Sequence, residues 1–152
     1  MPPLALTPPP IPYLVCFAVG LVMDGLLPWS PGWMRSVPVH WLGWLLLLAA
    51  AALGAASAVL FLSRRTTVIL HHRPTRLVTD GPFALSRNPM YVALTAAYGG
   101  AALLIARPWP LLLLPAAVLF LHRVIIPAEE RRLSQAFGAA YAEYCRRVRR
   151  WL

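Results

Sequence analysis

Apolar residues arrive in four long runs separated by polar knots. The first covers residues 11–27 and is broken by Asp24-Gly25. The second, "WLGWLLLLAAAALGAASAVLFLS", covers 41–63 and exceeds the roughly 20 residues needed to cross about 30 Å of hydrocarbon. It begins with Trp41 and Trp44, residues suited to a membrane–water interface. The third covers 89–106 and the fourth 109–126. Only "RPWP" separates these two, which predicts a tight helical hairpin. Backbone groups in lipid must bond within their own segment, so all four runs are expected to be helices. After Pro127 the pattern changes. In "AEERRLSQAFGAAYAEYCRRVRRWL", Leu133, Phe137, Ala140, Tyr141, Tyr144 and Val148 recur at helical spacing, with charges over much of the remainder. That predicts an amphipathic helix lying at the interface or packed over the bundle. The expected fold is all-α and integral to the membrane: about four transmembrane helices plus a C-terminal amphipathic cytoplasmic helix, in a single domain over 1–152.

Composition strengthens the membrane reading. The chain is 59% hydrophobic and 12% charged, where a soluble domain carries about a quarter charged residues. All 14 cationic residues are arginines, and the net charge is +9. A nucleic-acid binder needs a basic face on a soluble fold. Here the arginines flank apolar runs, so no nucleic-acid partner is expected. Arg64, Arg65, Arg73, Arg76 and Arg87 lie between the second and third runs. Arg131, Arg132, Arg146, Arg147, Arg149 and Arg150 lie in the tail. The opposite side holds Arg35 and Arg107. By the positive-inside rule, the protein is multi-pass with both termini cytoplasmic. The proline-rich "MPPLALTPPPIPYLV" lacks the basic start of a signal peptide and reads as a lead-in to the first span. Cys16 and Cys145 sit in unlike settings, no Cys/His cluster has zinc spacing, and adjacent His71 and His72 point apart on a helix. No metal is expected.

Two polar clusters carry the candidate chemistry. The first is "DGPFALSRNPMYVAL", from Asp80 to Leu94. Asn88 suits a helix N-cap and Pro89 the first helical position. That accounts for those two residues but not for Arg87, Tyr91 and the Gly81-Pro82 turn. The second is Glu129-Glu130, placed by the topology on the same side. Acids there also favour a helix start. Together they define a pocket: a helix N-terminus receives a carboxylate, and acids hold an ammonium group or hydroxyls. A ligand with an amino-acid end and a ribose suits that mixture. His122 and Arg123, near the cytoplasmic end of the fourth run, are either snorkelling anchors or the lining of an acceptor entrance. Asp24 could touch a substrate head group, but it lies near the opposite end, where solvation is the expected role. Gly99-Gly100 and the Ala-rich stretch of the second run are expected to be close-packing surfaces.

"TRLVTDGPFALSRNPMY", followed after the hairpin by "PAEERRLSQAFGAAYAEYCRRV", resembles the isoprenylcysteine carboxyl methyltransferase and phospholipid methyltransferase family. The family pattern runs Leu-Val-Thr-x-Gly-Pro-Tyr-x-x-x-Arg-His-Pro-x-Tyr. A Glu-Glu pair and a Phe-Gly-x-x-Tyr-x-x-Tyr-x-x-x-Val stretch follow. The match extends from Thr75 to Val148. The resemblance implies a membrane methyltransferase that uses S-adenosylmethionine at the cytoplasmic face, under a lid made by the tail. A lipid-like or small hydrophobic acceptor would undergo carboxyl-O- or N-methylation. It also implies cofactor contacts at Thr75, Arg76, Leu77, Val78, Phe83, Asn88, Pro89, Met90, Tyr91, Glu129 and Glu130; no catalytic residue is assigned. Three positions depart from the pattern. Asn88 replaces His, Phe83 replaces Tyr, and Ile125 stands where prenylcysteine enzymes carry Arg. These keep two alternatives open: a non-catalytic membrane protein retaining the fold, and a reductase relative using a nicotinamide cofactor.

Overall fold

A computed structural model describes residues 7–63 and 77–152. Among these the secondary structure is entirely helical: α1 (Pro10–Leu26), α2 (Val37–Ser63), α3 (Pro89–Leu104), α4 (Pro108–Phe120) and α5 (Ile126–Arg147). Short 3-10 turns at Gly32–Arg35 and Gly81–Ala84 precede α2 and α3, and a π turn, Leu121–Ile125, joins α4 to α5. Proline stands in the first positions of α1, α3, α4 and α5. Its missing N–H is no loss there, because the first N–H groups of a helix have no partner within it.

The bundle is two antiparallel pairs, α1 on α4 and α2 on α3, joined by further α3–α4 contact. Close approach of α2 and α3 depends on small residues. A Cβ at Gly100 would stand 2.8 Å from the Gly43 carbonyl oxygen, and one at Gly43 would meet Leu104 Cγ at 2.8 Å. Such small-residue surfaces let helix backbones draw together where lipid supplies no hydrophobic drive. Between the pairs lies a core of Tyr13, Tyr91, Tyr98, Ala117, Leu121, Ile125 and Ile126. Its hydroxyls are satisfied: Tyr13 donates to Thr95 Oγ1 at 2.6 Å and Tyr98 to the Pro110 carbonyl at 2.7 Å.

Among the described residues, two helices are long and apolar enough to cross a membrane: α2, and the continuous helix Pro108–Arg147. Only 11% of the most apolar window of α2 is buried within the protein. Trp41, Leu45, Leu48, Val59 and Leu62 all face outward. A core helix of a soluble protein would bury such residues, so this face calls for an apolar surround. The helices α1 and α3 are apolar but shorter, at 17 and 16 residues.

The sequence pattern is refined at four points. The second helix begins at Val37, ahead of the expected 41, because Ser36 accepts the His40 N–H and starts the coil early. The amphipathic helix ends at Arg147, and Val148 is already extended. Ala140 is exposed although it fits the helical stripe, because Gly138 breaks the phase at φ 49°, ψ −119°. Asp24, expected to be solvated, is 4% exposed and ion-paired with Arg107. The α3–α4 hairpin folds Arg107 back over it, and Trp109 Nε1 adds a bond to the Leu27 carbonyl at 2.8 Å.

Two expectations follow. Gly100→Ala should lower the melting temperature in detergent, despite alanine's better helix propensity. Its methyl meets a backbone carbonyl, and overpacking of this kind costs about 1–3 kcal/mol. Gly54→Ala, whose nearest neighbour would be the Ala93 Cβ at 3.9 Å, should be neutral or gain up to about 1 kcal/mol. Arg107→Ala leaves the Asp24 charge buried and should destabilise strongly. The double variant Asp24→Asn/Arg107→Ala should recover much of the loss in the same melting assay.

Candidate functional site

The Asp80–Leu94 knot and the twin glutamates meet at one end of the bundle. Arg87 Nη1 lies 3.1 Å from Glu130 Oε1. One helical turn into α3, the Tyr91 hydroxyl donates to Glu129 Oε1 at 2.7 Å. The geometry follows from local structure. Gly81, at φ 57°, and Pro82 form the tight turn before α3. Phe83 anchors that turn edge-on against Phe61 at the end of α2, with ring centroids 5.1 Å apart. Pro89 is buried and starts α3. On the other side, Pro127 has no N–H, and its ring crowds the carbonyl of Arg123. The helix answers with the wide π turn before α5 begins and presents both glutamates inward.

A third segment completes the site. Beyond Val148 the chain runs extended across the start of α3. Arg87 N–H donates to the Arg149 carbonyl at 2.9 Å, and Asn88 Nδ2 donates to the Arg150 carbonyl at 2.9 Å. The Arg150 guanidinium grips Glu130 with two bonds, Nε to Oε1 at 3.0 Å and Nη2 to Oε2 at 2.5 Å. Trp151 Nε1 donates to His122 Nδ1 at 3.2 Å. Under this strap, Tyr141, Tyr144 and Val148 form a small apolar core with Leu77, Leu133, Phe137 and Cys145. The Tyr144 hydroxyl donates to the Phe83 carbonyl at 2.7 Å, tying α5 to the turn before α3.

The structure thus brings Asn88, Tyr91, Glu129 and Glu130 into one network, with Pro89 beneath them and His122 at its margin through Trp151. Leu77 and Phe83 join it through the tyrosines of α5; Val78 is buried. Met90 is half-buried and makes no polar contact, and Arg123 is exposed, outside the network. Thr75 and Arg76 lie outside the described residues, as do Arg64, Arg65, Arg73, His71 and His72. Asn88 occupies the N-cap position, yet its side chain caps nothing. The strap carbonyl takes its amide instead, which corrects the expected capping role. Sequence reasoning did not reach Ser86, Arg150 and Trp151. Ser86 is buried; its hydroxyl accepts the Asn88 N–H at 3.1 Å and donates to the Arg150 carbonyl at 3.4 Å. The signal for Arg150 was present in the arginine-rich tail, but there it indicated only topology.

The electrostatics are uneven. Burial opposes the charge on Arg87, but Glu130, Cys145 and Tyr141 outweigh it and hold the guanidinium above its ordinary pKa. Arg87 Nε is buried and has no hydrogen-bond partner. Burial pushes the Glu129 carboxyl up, while the Tyr91 hydrogen bond and Arg132 pull it down by less. The site therefore joins a carboxylate held by two cations, a second acid reluctant to ionise, an amide and a donor with no acceptor. That set can bind a zwitterionic, hydroxyl-bearing ligand.

Comparison with known proteins adds one finding. Residues 38–140 match the family model described as phospholipid methyltransferase, well over half of the chain. No curated protein and no solved structure matches.

The raised pKa of Glu129 gives a pH prediction. A folded-state value above the unfolded one means stability fully present below about pH 4 and lost as pH rises through the folded value. Glu129→Gln keeps an acceptor for Tyr91 and removes the charge. It should melt above the parent at about pH 8, and the gap should close toward about pH 4 in a melting series across pH.

Proposed function

The chain belongs to the phospholipid methyltransferase family, and from that premise we propose that it is a membrane methyltransferase that takes its methyl group from S-adenosylmethionine. In this reading residues 1–152 form one multi-pass domain. The helices α1 to α4 cross the bilayer, both termini are cytoplasmic, and the glutamate end of the bundle faces the cytoplasm. A lipid-like or small hydrophobic molecule is methylated, on a carboxylate or an amine. The observation that carries the reading is the direct joining of two separated segments by Arg87–Glu130 and Tyr91–Glu129.

The residues present fit the cofactor. Arg87 Nε, buried and without an acceptor, suits its amino-acid carboxylate. Glu130 suits the ammonium group, in exchange for one of the guanidinium groups it now holds. Glu129 and Asn88 suit ribose hydroxyls or ring nitrogens. Leu77 and Val78 in the approach segment line its margin. When bound, the cofactor supplies an electrophilic methyl on a sulfonium, already a good leaving group. The protein's part is then alignment and exclusion of water. Tyr91 and Arg87 fix the two carboxylates, and the strap from Val148 to Trp151 closes the polar side away from lipid. In this reading His122 and Arg123 would meet the acceptor's polar end. A carboxylate acceptor needs no base, whereas an amine must first give up its ammonium proton, to a nearby base or to water, to free its lone pair.

Purified protein incubated with a lipid extract and methyl-labelled S-adenosylmethionine should yield a labelled lipid-like product by mass. Glu130→Ala should weaken binding of S-adenosylhomocysteine in calorimetry at least about tenfold, roughly 1.4 kcal/mol, while the circular dichroism stays helical. Undiminished binding by that variant removes the assigned pocket. No heat with the parent protein supports the non-catalytic alternative, and heat with a nicotinamide cofactor instead supports the reductase alternative.

A further inference from the structure

The far end of the bundle carries a second surface. An open groove of about 600 Å³ is lined by Arg35, Val37, His40, Trp41, Trp44 and Leu48. It lies at the start of α2, while Phe61, near the other end, packs against Phe83 in the glutamate site. At 27 residues, α2 is about 40 Å long, so the two sites are separated by nearly the whole bundle. The groove lies away from the proposed site of methyl transfer, and what it binds rests on the bilayer-crossing part of the proposed function, not on the transfer itself.

Its chemistry changes along its length. At one end stands Arg35, exposed and making no ion pair among the described residues. Asp24, the acid at this end of the bundle, is already engaged by Arg107. Beside Arg35, His40 donates its Nδ1–H to the Ser36 carbonyl at 3.3 Å, which leaves Nε2 without a partner among the described residues. Then follow Trp41, Trp44 and Leu48, spaced by three and four residues along one stripe of α2 and 70%, 54% and 66% exposed. A cation leading into an outward apolar stripe complements a molecule with an anionic head and a hydrocarbon tail. A free anion would leave the stripe unused. A second copy seated symmetrically would bring its own Arg35 toward this one, a like-charge contact.

We propose that this groove binds one anionic phospholipid of the leaflet opposite the glutamate site. Arg35 holds the phosphodiester, His40 meets a head-group hydroxyl, and one acyl chain lies along Trp41, Trp44 and Leu48. Arginine suits a phosphate because its planar fork donates two parallel bonds, and tryptophan suits the head-group depth at which the chain begins.

The test uses the full chain in mild detergent, with phosphatidylglycerol or phosphatidylcholine of matched chains added, read by native mass spectrometry and thermal melting. Phosphatidylglycerol should be retained preferentially and should raise the melting temperature, and inorganic phosphate at the same concentration should not. Arg35→Gln should lower phosphatidylglycerol occupancy about fivefold and abolish the preference. Trp44→Ala/Leu48→Ala should weaken both lipids alike. Neither change should alter helical circular dichroism, since all three side chains are exposed. Equal retention of the two lipids by the parent, unchanged retention by Arg35→Gln, or an equal shift from inorganic phosphate overturns the proposal. So does a parent dimer that the Trp44→Ala/Leu48→Ala variant dissociates, which would make the occupant a second copy.

Discussion

Glu130 between two guanidinium groups is the interaction on which the architecture of the site depends. Arg87 comes from the turn before α3, Arg150 from the strap after α5, and Glu130 from the first turns of α5. One carboxylate therefore fixes three segments that are distant in sequence. A buried ion pair adds little net stability over an apolar contact, because desolvation offsets the attraction, but removing one partner is costly. Its value here is registry: the pair is satisfied in one arrangement of α3, α5 and strap. The neighbouring Tyr91–Glu129 bond repeats the same link one layer deeper, so the two glutamates hold a shared frame.

The main helices were legible because their apolar runs are long and punctuated by proline and arginine. The meeting of the knot with the glutamates was legible as well, because two polar clusters beside apolar segments have few partners other than each other. What was not legible depends on tertiary contact. Asn88 reads as a cap by its type and position, and only the strap carbonyl draws its amide away. Arg150 continues the spacing of Arg146 and Arg147 and looks like one more solvated cation, until the backbone turns extended at Val148. Asp24 sits in an apolar run whose end is predictable, but its burial depends on the hairpin that carries Arg107. Gly138 resembles an ordinary helical glycine, and its positive φ shifts the stripe enough to expose Ala140.

Packing explains the division of labour between the helices. The small residues Gly43 and Gly100 bring α2 and α3 close along one stripe, and α2 packs on little else. Its remaining face is a wide apolar wall, with tryptophans gathered near its first turns. The polar chemistry is pushed to the ends of the bundle, the glutamate network at one and the Asp24–Arg107 pair at the other. The middle is held by tyrosines whose hydroxyls are all satisfied within the protein, as an apolar surround requires.

The π turn between α4 and α5 has a consequence for how this chain tolerates change in length. A π turn holds an additional residue within an otherwise regular helix, and it stands immediately ahead of the glutamates. Its five residues turn through about the angle and rise that four cover in an α-helix, so the turn absorbs the surplus residue. Deleting one residue from Leu121–Ile125 would let the helix relax to the common geometry at no loss of hydrogen bonding, with Glu129 and Glu130 still on the face they share with Tyr91 and Arg87. The same surplus residue held in regular α-helix would rotate everything beyond it by about 100° and swing both glutamates away, although every one of those side chains remained. The π turn thus makes this stretch tolerant of a change in length and guards the helical phase on which the carboxylates depend.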